Sequence, residues 1–200
     1  NKLKLLIHAY KELPNLKPVM LATAMVNLKN DNLWMSLDKK QRNRIRRAKE
    51  KNLKFKEAQT KQEWLEYYKL YKETSTRKNI KFYPEEYLDS LFNLDRDYSK
   101  LFYVEYQNKP ISYAQVFIHK KIIFLNSLAN TEKSYEINAN AYLLWKTIEW
   151  AKEKGIELYD LGGIDENAKE NSAPARVNKF KLSFGDRIDF YEYTDSILYA

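Results

Sequence analysis

The chain has 200 residues, 44% of them hydrophobic and 14% aromatic, enough to bury a real core in one domain or a compact pair of lobes. It has no cysteine, which excludes a disulfide framework, a thiolate zinc site and a cysteine nucleophile, and agrees with a cytoplasmic protein. The net charge of +8 is a local device: residues 39–51 hold eight basic side chains against Glu50 alone, which is +7 of the total.

Pro14 and Pro18 punctuate the start, so residues 1–18 are expected to be a helix end and a connector. Residues 19–28 are apolar and strand-like. Ser36 or Asp38 can cap a helix running to about Asn52, with Leu37, Gln41, Ile45 and Ala48 as a narrow inward stripe. Lys40, Arg44, Arg47 and Lys51 line one flank of that stripe, and Arg42, Arg46 and Lys49 the other. Residues 53–58 alternate as a strand. Thr60 starts a second helix with Trp64, Tyr68 and Tyr71 on one face, and residues 84–93 form a third. Strands follow at 101–107, 111–119 and 122–129, with turns at 108–110 and 119–121.

Residues 139–154 are amphipathic, with Ala141, Leu144, Trp145, Ile148 and Ala151 inward and Gly155 as a left-handed stop. A strand at 156–161 then ends in Asp160, Gly162 and Gly163. Residues 165–175 are polar and loop-like, 174–184 a short helix or turn, and 188–198 a final strand. No apolar run reaches the roughly 18 residues of a membrane helix, and no signal peptide is visible. The first residue is Asn1 rather than Met, which leaves open a piece of a longer protein, so the missing targeting segment carries little weight.

From Leu53 onward the order is β-α-α-β-β-β-α-β-α-β, an α/β (α+β) pattern of a mixed, mainly antiparallel sheet flanked by helices. It is similar to the order of the GNAT acyltransferase fold. Residues 1–52 then read as the end of an N-terminal lobe (strand plus basic helix) and 53–200 as the GNAT-like domain. Residues 142–185 carry the most chemistry. Helix, strand and glycine-ended loop in that order place a cleft at the carboxyl end of a strand, where α/β folds bind ligands.

Four stretches resemble the FemABX family of peptidoglycan-bridge aminoacyltransferases: the basic run 37–51, Glu73–Arg77 with Tyr87-Leu88, the run 142–163, and Phe180-Lys181 with Phe184-Gly185. Together they span roughly residues 33–190. The resemblance implies transfer of an amino acid from aminoacyl-tRNA onto an amine of a UDP- or lipid-linked muropeptide, without a cofactor and with peripheral membrane contact at most. Typical members have two complete lobes, and this chain has room for one plus the end of another.

Lys181 is then the candidate catalytic cation, stabilising the oxyanion of an attacked ester or steering the tRNA 3′ end; the bland alternative is a surface lysine before a turn. Asp160 can orient or deprotonate the attacking amine, or cap the next turn. Tyr159 lies on the opposite face by strand alternation, so only one of the two points into a given cleft. Tyr159, Gly162, Gly163, Phe180 and Lys179 are candidate substrate contacts. The resemblance carries Arg77 over as a phosphate or substrate contact, although a helix-end arginine is also an ordinary capping charge. Lys40, Arg42, Arg44, Arg46, Arg47 and Lys51 are candidate tRNA or phosphate contacts, because so many like charges repel one another unless a polyanion meets them. His8 and His119, the only histidines, have no metal-ligand spacing.

Two other functions compete. One is a GNAT N-acyltransferase that takes an acyl group from coenzyme A or a carrier protein and acts on an amino sugar or other small amine. The segment 129–138, where such enzymes cradle pyrophosphate, has no glycine and two glutamates, which argues against coenzyme A. The other is a non-catalytic nucleic-acid-binding module, which no helix-turn-helix, zinc-finger or RRM signature supports.

Overall fold

A computed structural model describes residues 2–9, 11–13, 18–78, 81–94 and 97–198. Among these, eight strands form one sheet: β1 (Lys2–Ala9), β2 (Val19–Asn27), β3 (Lys54–Glu57), β4 (Ser99–Tyr106), β5 (Lys109–His119), β6 (Ile122–Asn130), β7 (Leu158–Ile164) and β8 (Asp186–Leu198). Their spatial order is β1-β8-β2-β7-β6-β5-β4-β3. Every neighbouring pair is antiparallel except β6 and β7, which are parallel. The helices are α1 (Leu33–Ser36), α2 (Lys39–Lys49), α3 (Lys61–Arg77), α4 (Glu85–Asn93), α5 (Glu132–Glu136), α6 (Ala139–Glu153) and α7 (Ala173–Leu182). This is the mixed, mainly antiparallel GNAT-like architecture expected from the element order.

Strand alternation builds two apolar cores, one on each face of the sheet. On one face, Ala24, Val26, Phe102, Val104, Ala114, Val116, Ile123, Tyr159 and Leu161 meet the inward stripes of α2 and α6. Those stripes are the expected ones: Gln41, Ile45 and Ala48 are buried on α2, and Ala141, Leu144, Trp145, Ile148 and Ala151 on α6. On the other face, Leu101, Tyr103, Tyr113 and Ala129 meet α3 and α4. The capping box of α3 forms between Thr60 and Glu63. Tyr103 also donates to Glu63 at 2.7 Å, and these hydrogen bonds outweigh the desolvation that would raise the Glu63 pKa, holding its carboxyl at about 2.

Four expectations need correction. Residues 2–9 form β1, not a helix end; their partner β8 supplies the hydrogen bonds that local sequence cannot. The buried face of α3 is Trp64, Tyr67, Leu70 and Thr74, one residue out of phase with the Trp64–Tyr68–Tyr71 stripe; Tyr68 and Tyr71 are only half-buried. The β4–β5 turn is centred on Gln107 and Asn108, both left-handed at φ 51° and 60°, so Pro110 already belongs to β5. Finally, β7 does not stop before its glycines. Thr23 pairs with Gly163 and Ala22 with Ile164, so β2 carries the strand through both.

Gly185 packs where β8 begins against β2. A Cβ there would lie 2.4 Å from the Met25 carbonyl oxygen and 2.7 Å from its carbon, which are backbone atoms that cannot swing aside. Gly185→Ala is therefore expected to destabilise the fold by about 1–3 kcal/mol, read as a lower denaturant midpoint with an unchanged slope.

Candidate active site at the parting of two strands

The parallel strands β6 and β7 pair only from Ile122–Phe124 to Leu158–Asp160. Beyond that point each keeps its other partner: β6 continues along β5 to Asn130, and β7 along β2 to Ile164. The β6–β5 register shifts between Leu125 and Ser127 where the strands separate. A mouth thus opens at the carboxyl ends of two parallel strands, the position expected of a ligand cleft.

Asp160 is the last residue of β7 that pairs with β6. It sits opposite Phe124 and Met25, on the face that carries α3 and α4. One of its carboxylate oxygens accepts the Thr23 hydroxyl and, at 2.8 Å, the Gly162 N–H. Thr23 is 2% exposed, so that hydroxyl has little access to water. The sequence reading missed Thr23. Its signal was present, as the single hydroxyl in the otherwise apolar run Val19–Val26.

Lys181 approaches from α7. Ser172 caps this helix by accepting the Ala175 N–H at 3.2 Å, with Pro174 in the first turn. Asn178 ties the preceding loop down through two hydrogen bonds to Asp165. The Phe180 ring meets Phe184 edge-on at 5.3 Å and packs against the core. That anchor turns the next residue outward over β7, where Lys181 Nζ donates to the Gly163 carbonyl at 2.7 Å. Gly162 is left-handed at φ 85°, and a Cβ on it would lie 3.4 Å from Lys181 Nζ. Burial pulls the Lys181 pKa below its ordinary value, and the charge of Asp160 pulls it partly back.

The structure thus brings Lys181, Asp160, Gly162 and Gly163 together, with Phe180 as the anchor beneath Lys181. Two candidates fall outside this group. Tyr159 is fully buried, its hydroxyl 3.2 Å from Thr147 of α6, so it lines the core and not the cleft; burial pushes its pKa up. Lys179 is exposed two residues before Lys181. Arg77 ends α3 on the β6 side of the mouth, donating to the Asn130 carbonyl at 2.7 Å. Asn130 is buried, and its side chain accepts from Ser112 at 2.6 Å and Ser134 at 3.2 Å. This network fixes the carboxyl end of β6. The segment after it folds as α5, with Thr131 accepting the Ser134 N–H at 3.1 Å.

The basic helix α2 packs on the opposite face, yet its beginning reaches the site. Asp38, its N-cap, donates its N–H to the Ser183 carbonyl at 3.2 Å, two residues past Lys181. Its cations divide by flank. Arg42 caps the Met35 and Leu37 carbonyls, while Arg46 and Lys49 each lie 5.5 Å from the Trp34 ring centroid. Among the described residues, Lys40, Arg44, Arg47 and Lys51 form no ion pair; Arg44 makes a 3.3 Å contact to Gln41. His119 is exposed at the end of β5, and His8 lies in β1, its side chain outside those described. No group of three His, Asp or Glu among the described residues could hold a metal ion.

Two outcomes test this arrangement. Thr23→Val is expected to lower stability by about 1–2 kcal/mol through the lost hydrogen bond to a carboxylate, whereas Thr23→Ser restores it; urea midpoints decide. Asp160→Asn removes the charge that holds the Lys181 pKa up, so a further fall in the NMR-detected Lys181 titration is expected. The sign for stability follows. Between the depressed folded pKa and the ordinary lysine value the unfolded chain holds the extra proton, so stability rises with pH in that window.

Comparison with known proteins agrees with the fold. The family described as an acetyltransferase (GNAT) domain matches residues 39–170, about two-thirds of the chain, including Asp160 and both glycines but stopping short of Lys181. No curated protein matches at the sequence level. Among solved structures, FemX superposes with a TM-score of 0.75 at 13% identity, over 85% of this chain and 61% of that one. The C-terminal domain of a lysylphosphatidylglycerol synthetase from Agrobacterium fabrum does so with 0.66 at 14%, over 90% and 61%. An aminoglycoside acetyltransferase from an uncultured soil metagenomic sample gives 0.51 at 17%, over 66% and 86%. This chain therefore spans about three-fifths of the first two, and at these identities the likeness is one of fold. With the matched span and the parted parallel strands together, the chain belongs to the GNAT acyltransferase family, with a FemABX-like fold.

Proposed function

We propose that this protein transfers an aminoacyl group from aminoacyl-tRNA to the amine of a peptidoglycan precursor, a UDP- or lipid-linked muropeptide, in the cytoplasm. The observation that carries this reading is the junction of α2 with α7. The Asp38–Ser183 hydrogen bond puts the start of a basic helix two residues from Lys181, so an anionic chain lying along α2 would end at the mouth between β6 and β7. Lys40, Arg44, Arg47 and Lys51 are the phosphate contacts in this reading. Arg42, Arg46 and Lys49 hold the helix to its neighbours. Residues 1–52 are read as the end of a preceding lobe, with β2 and α2 completing the sheet and its cover.

The chemistry asked of the chain is modest. The ester of an aminoacyl-tRNA is already activated, so an amine can attack it directly once both are held in place. The Lys181 ammonium, half-buried beside Gly162, stabilises the negative charge that gathers on the ester oxygen. Asp160, held by Thr23 and the Gly162 N–H, keeps that ammonium charged and orients the attacking amine. The proton leaves the amine as the tRNA hydroxyl departs, so no covalent enzyme intermediate and no cofactor are invoked. Arg77 stands on the β6 side as a contact for phosphate or substrate.

The alternative donor is an acyl-CoA or an acyl-carrier protein, with an amino sugar or other small amine as acceptor. The likeness in fold to an aminoglycoside acetyltransferase favours it. Against coenzyme A stands the segment at 129–138. It lacks glycine, and Thr131 already takes the Ser134 N–H that a pyrophosphate would need.

Binding to charged tRNA titrated over salt, with acetyl-CoA in parallel, separates the two donors. Tight salt-dependent binding to charged tRNA with no binding of coenzyme A is expected; the opposite pattern would overturn the reading. Lys181→Ala should abolish transfer and leave tRNA affinity within a few-fold. Replacing Arg44 and Arg47 with alanine should weaken tRNA binding and reduce the slope of log affinity against log salt by about 1.5.

A further inference from the structure

A cavity of about 400 Å³ lies at the end of α2 away from Lys181, a volume within the range of small-ligand sites. Its walls combine three kinds of chemistry. Lys51 and Lys54 bring ammonium groups, Tyr106 a half-buried ring, and Asn52, Gln107 and Asn108 three side-chain amides. Lys54 Nζ holds Asn108 Oδ1 at 2.9 Å. Two carboxylates complete the wall: Glu105, which Lys56 neutralises at 2.9 Å, and Glu50 at the C-terminal cap of α2.

The amides are placed by the fold itself. Asn52 is left-handed just beyond α2, and Gln107 and Asn108 are left-handed in the β4–β5 turn. Two separate turns thus converge on one cavity. A phosphate alone would need only the lysines, and two carboxylates would weaken such a site. Amides and carboxylates beside an aromatic ring are instead what the edge and face of a nucleobase require.

We propose that this cavity receives one unpaired nucleotide of an RNA chain lying along α2, its base against Tyr106 and the amides and its phosphate against Lys51 and Lys54. The proposal rests on the RNA-dependent reading above and extends it. The eleven residues of α2 span about 16 Å, so the cavity and the Lys181 site would hold the same RNA at two points, one reading a base and one presenting the ester. Lys51, the last cation of the phosphate-facing flank, belongs to both the helix track and the cavity wall.

The test uses the full chain and a fluorescein-labelled six-nucleotide single-stranded RNA, with a blunt RNA duplex and an abasic version of the single strand as controls. Asn52→Gly combined with Asn108→Gly keeps both left-handed turns and deletes two of the three amides; Tyr106→Leu keeps apolar packing and deletes the aromatic face. Each is expected to weaken single-strand binding about tenfold at fixed salt with no change in salt slope, whereas Lys51→Ala lowers the slope. The abasic strand should bind the wild type as weakly as the intact strand binds the variants. Equal affinity for intact and abasic strands, or unchanged binding by both variants, would overturn the nucleotide site while leaving the tRNA-dependent reading in place. A wild type that binds none of the three RNAs would overturn both.

Discussion

The structure depends on the brief pairing of β6 with β7. Two parallel strands that exchange hydrogen bonds over three residues and then separate leave backbone donors and acceptors facing a gap. Backbone groups of that kind take partners from side chains or water. The chain supplies some from its own side chains: Lys181 takes the Gly163 carbonyl, and Asp160 takes the Gly162 N–H. The lysine and the aspartate are therefore in the mouth for a structural reason before any chemistry is asked of them. Under the proposed function, a substrate entering the gap would meet an ammonium and a carboxylate that the fold has already positioned.

Each neighbour of that gap holds one of its edges in place. On the β7 side, β2 keeps pairing as far as Ile164 and contributes Thr23, whose hydroxyl fixes the Asp160 carboxylate. On the β6 side, the buried Asn130 takes Thr74 and Arg77 on its backbone carbonyl and Ser112 and Ser134 on its side chain, so the end of the strand is tied to α3, β5 and α5 together. Phe180 and Phe184 hold α7 to the core. Loosening any of these would widen or tilt the mouth without touching a reacting atom.

Much of this was legible in the sequence, for a physical reason. Helices with one strongly apolar face, such as α2 and α6, show their period directly, and Gln41 fell on the buried stripe of α2 despite being polar. The α3 face was read one residue out of phase because tyrosine is ambiguous: Tyr68 and Tyr71 are aromatic enough to look buried, yet their hydroxyls favour the rim. Tyr159 was taken for a cleft residue because its partner, Thr147, lies on a different element. Thr23 escaped notice because its role exists only once β2 and β7, far apart in sequence, pair. The continuation of β7 through its glycines has the same origin, since the sheet overrode a local turn signal.

The division of charge on α2 follows from self-repulsion. Eight cations in one short run raise the cost of folding at low salt. Arg42 lowers that cost by satisfying carbonyls at the α1–α2 junction, and Arg46 and Lys49 by lying over Trp34, which itself meets Trp145 edge-on at 5.1 Å. On the remaining flank, among the described residues, Arg44 donates to the Gln41 side-chain oxygen at 3.3 Å, and Lys40, Arg47 and Lys51 form no ion pair. An α2 stripped of those four charges would still present Leu37, Gln41, Ile45 and Ala48 to the core and would repel itself less. The fold therefore gives no reason for Lys40, Arg47 and Lys51, and only the Gln41 contact for Arg44. Under the proposed function an external polyanion would supply one, converting their mutual repulsion into binding through the release of its counterions. The side chains that stabilise the helix are thus distinct from those free to meet a partner.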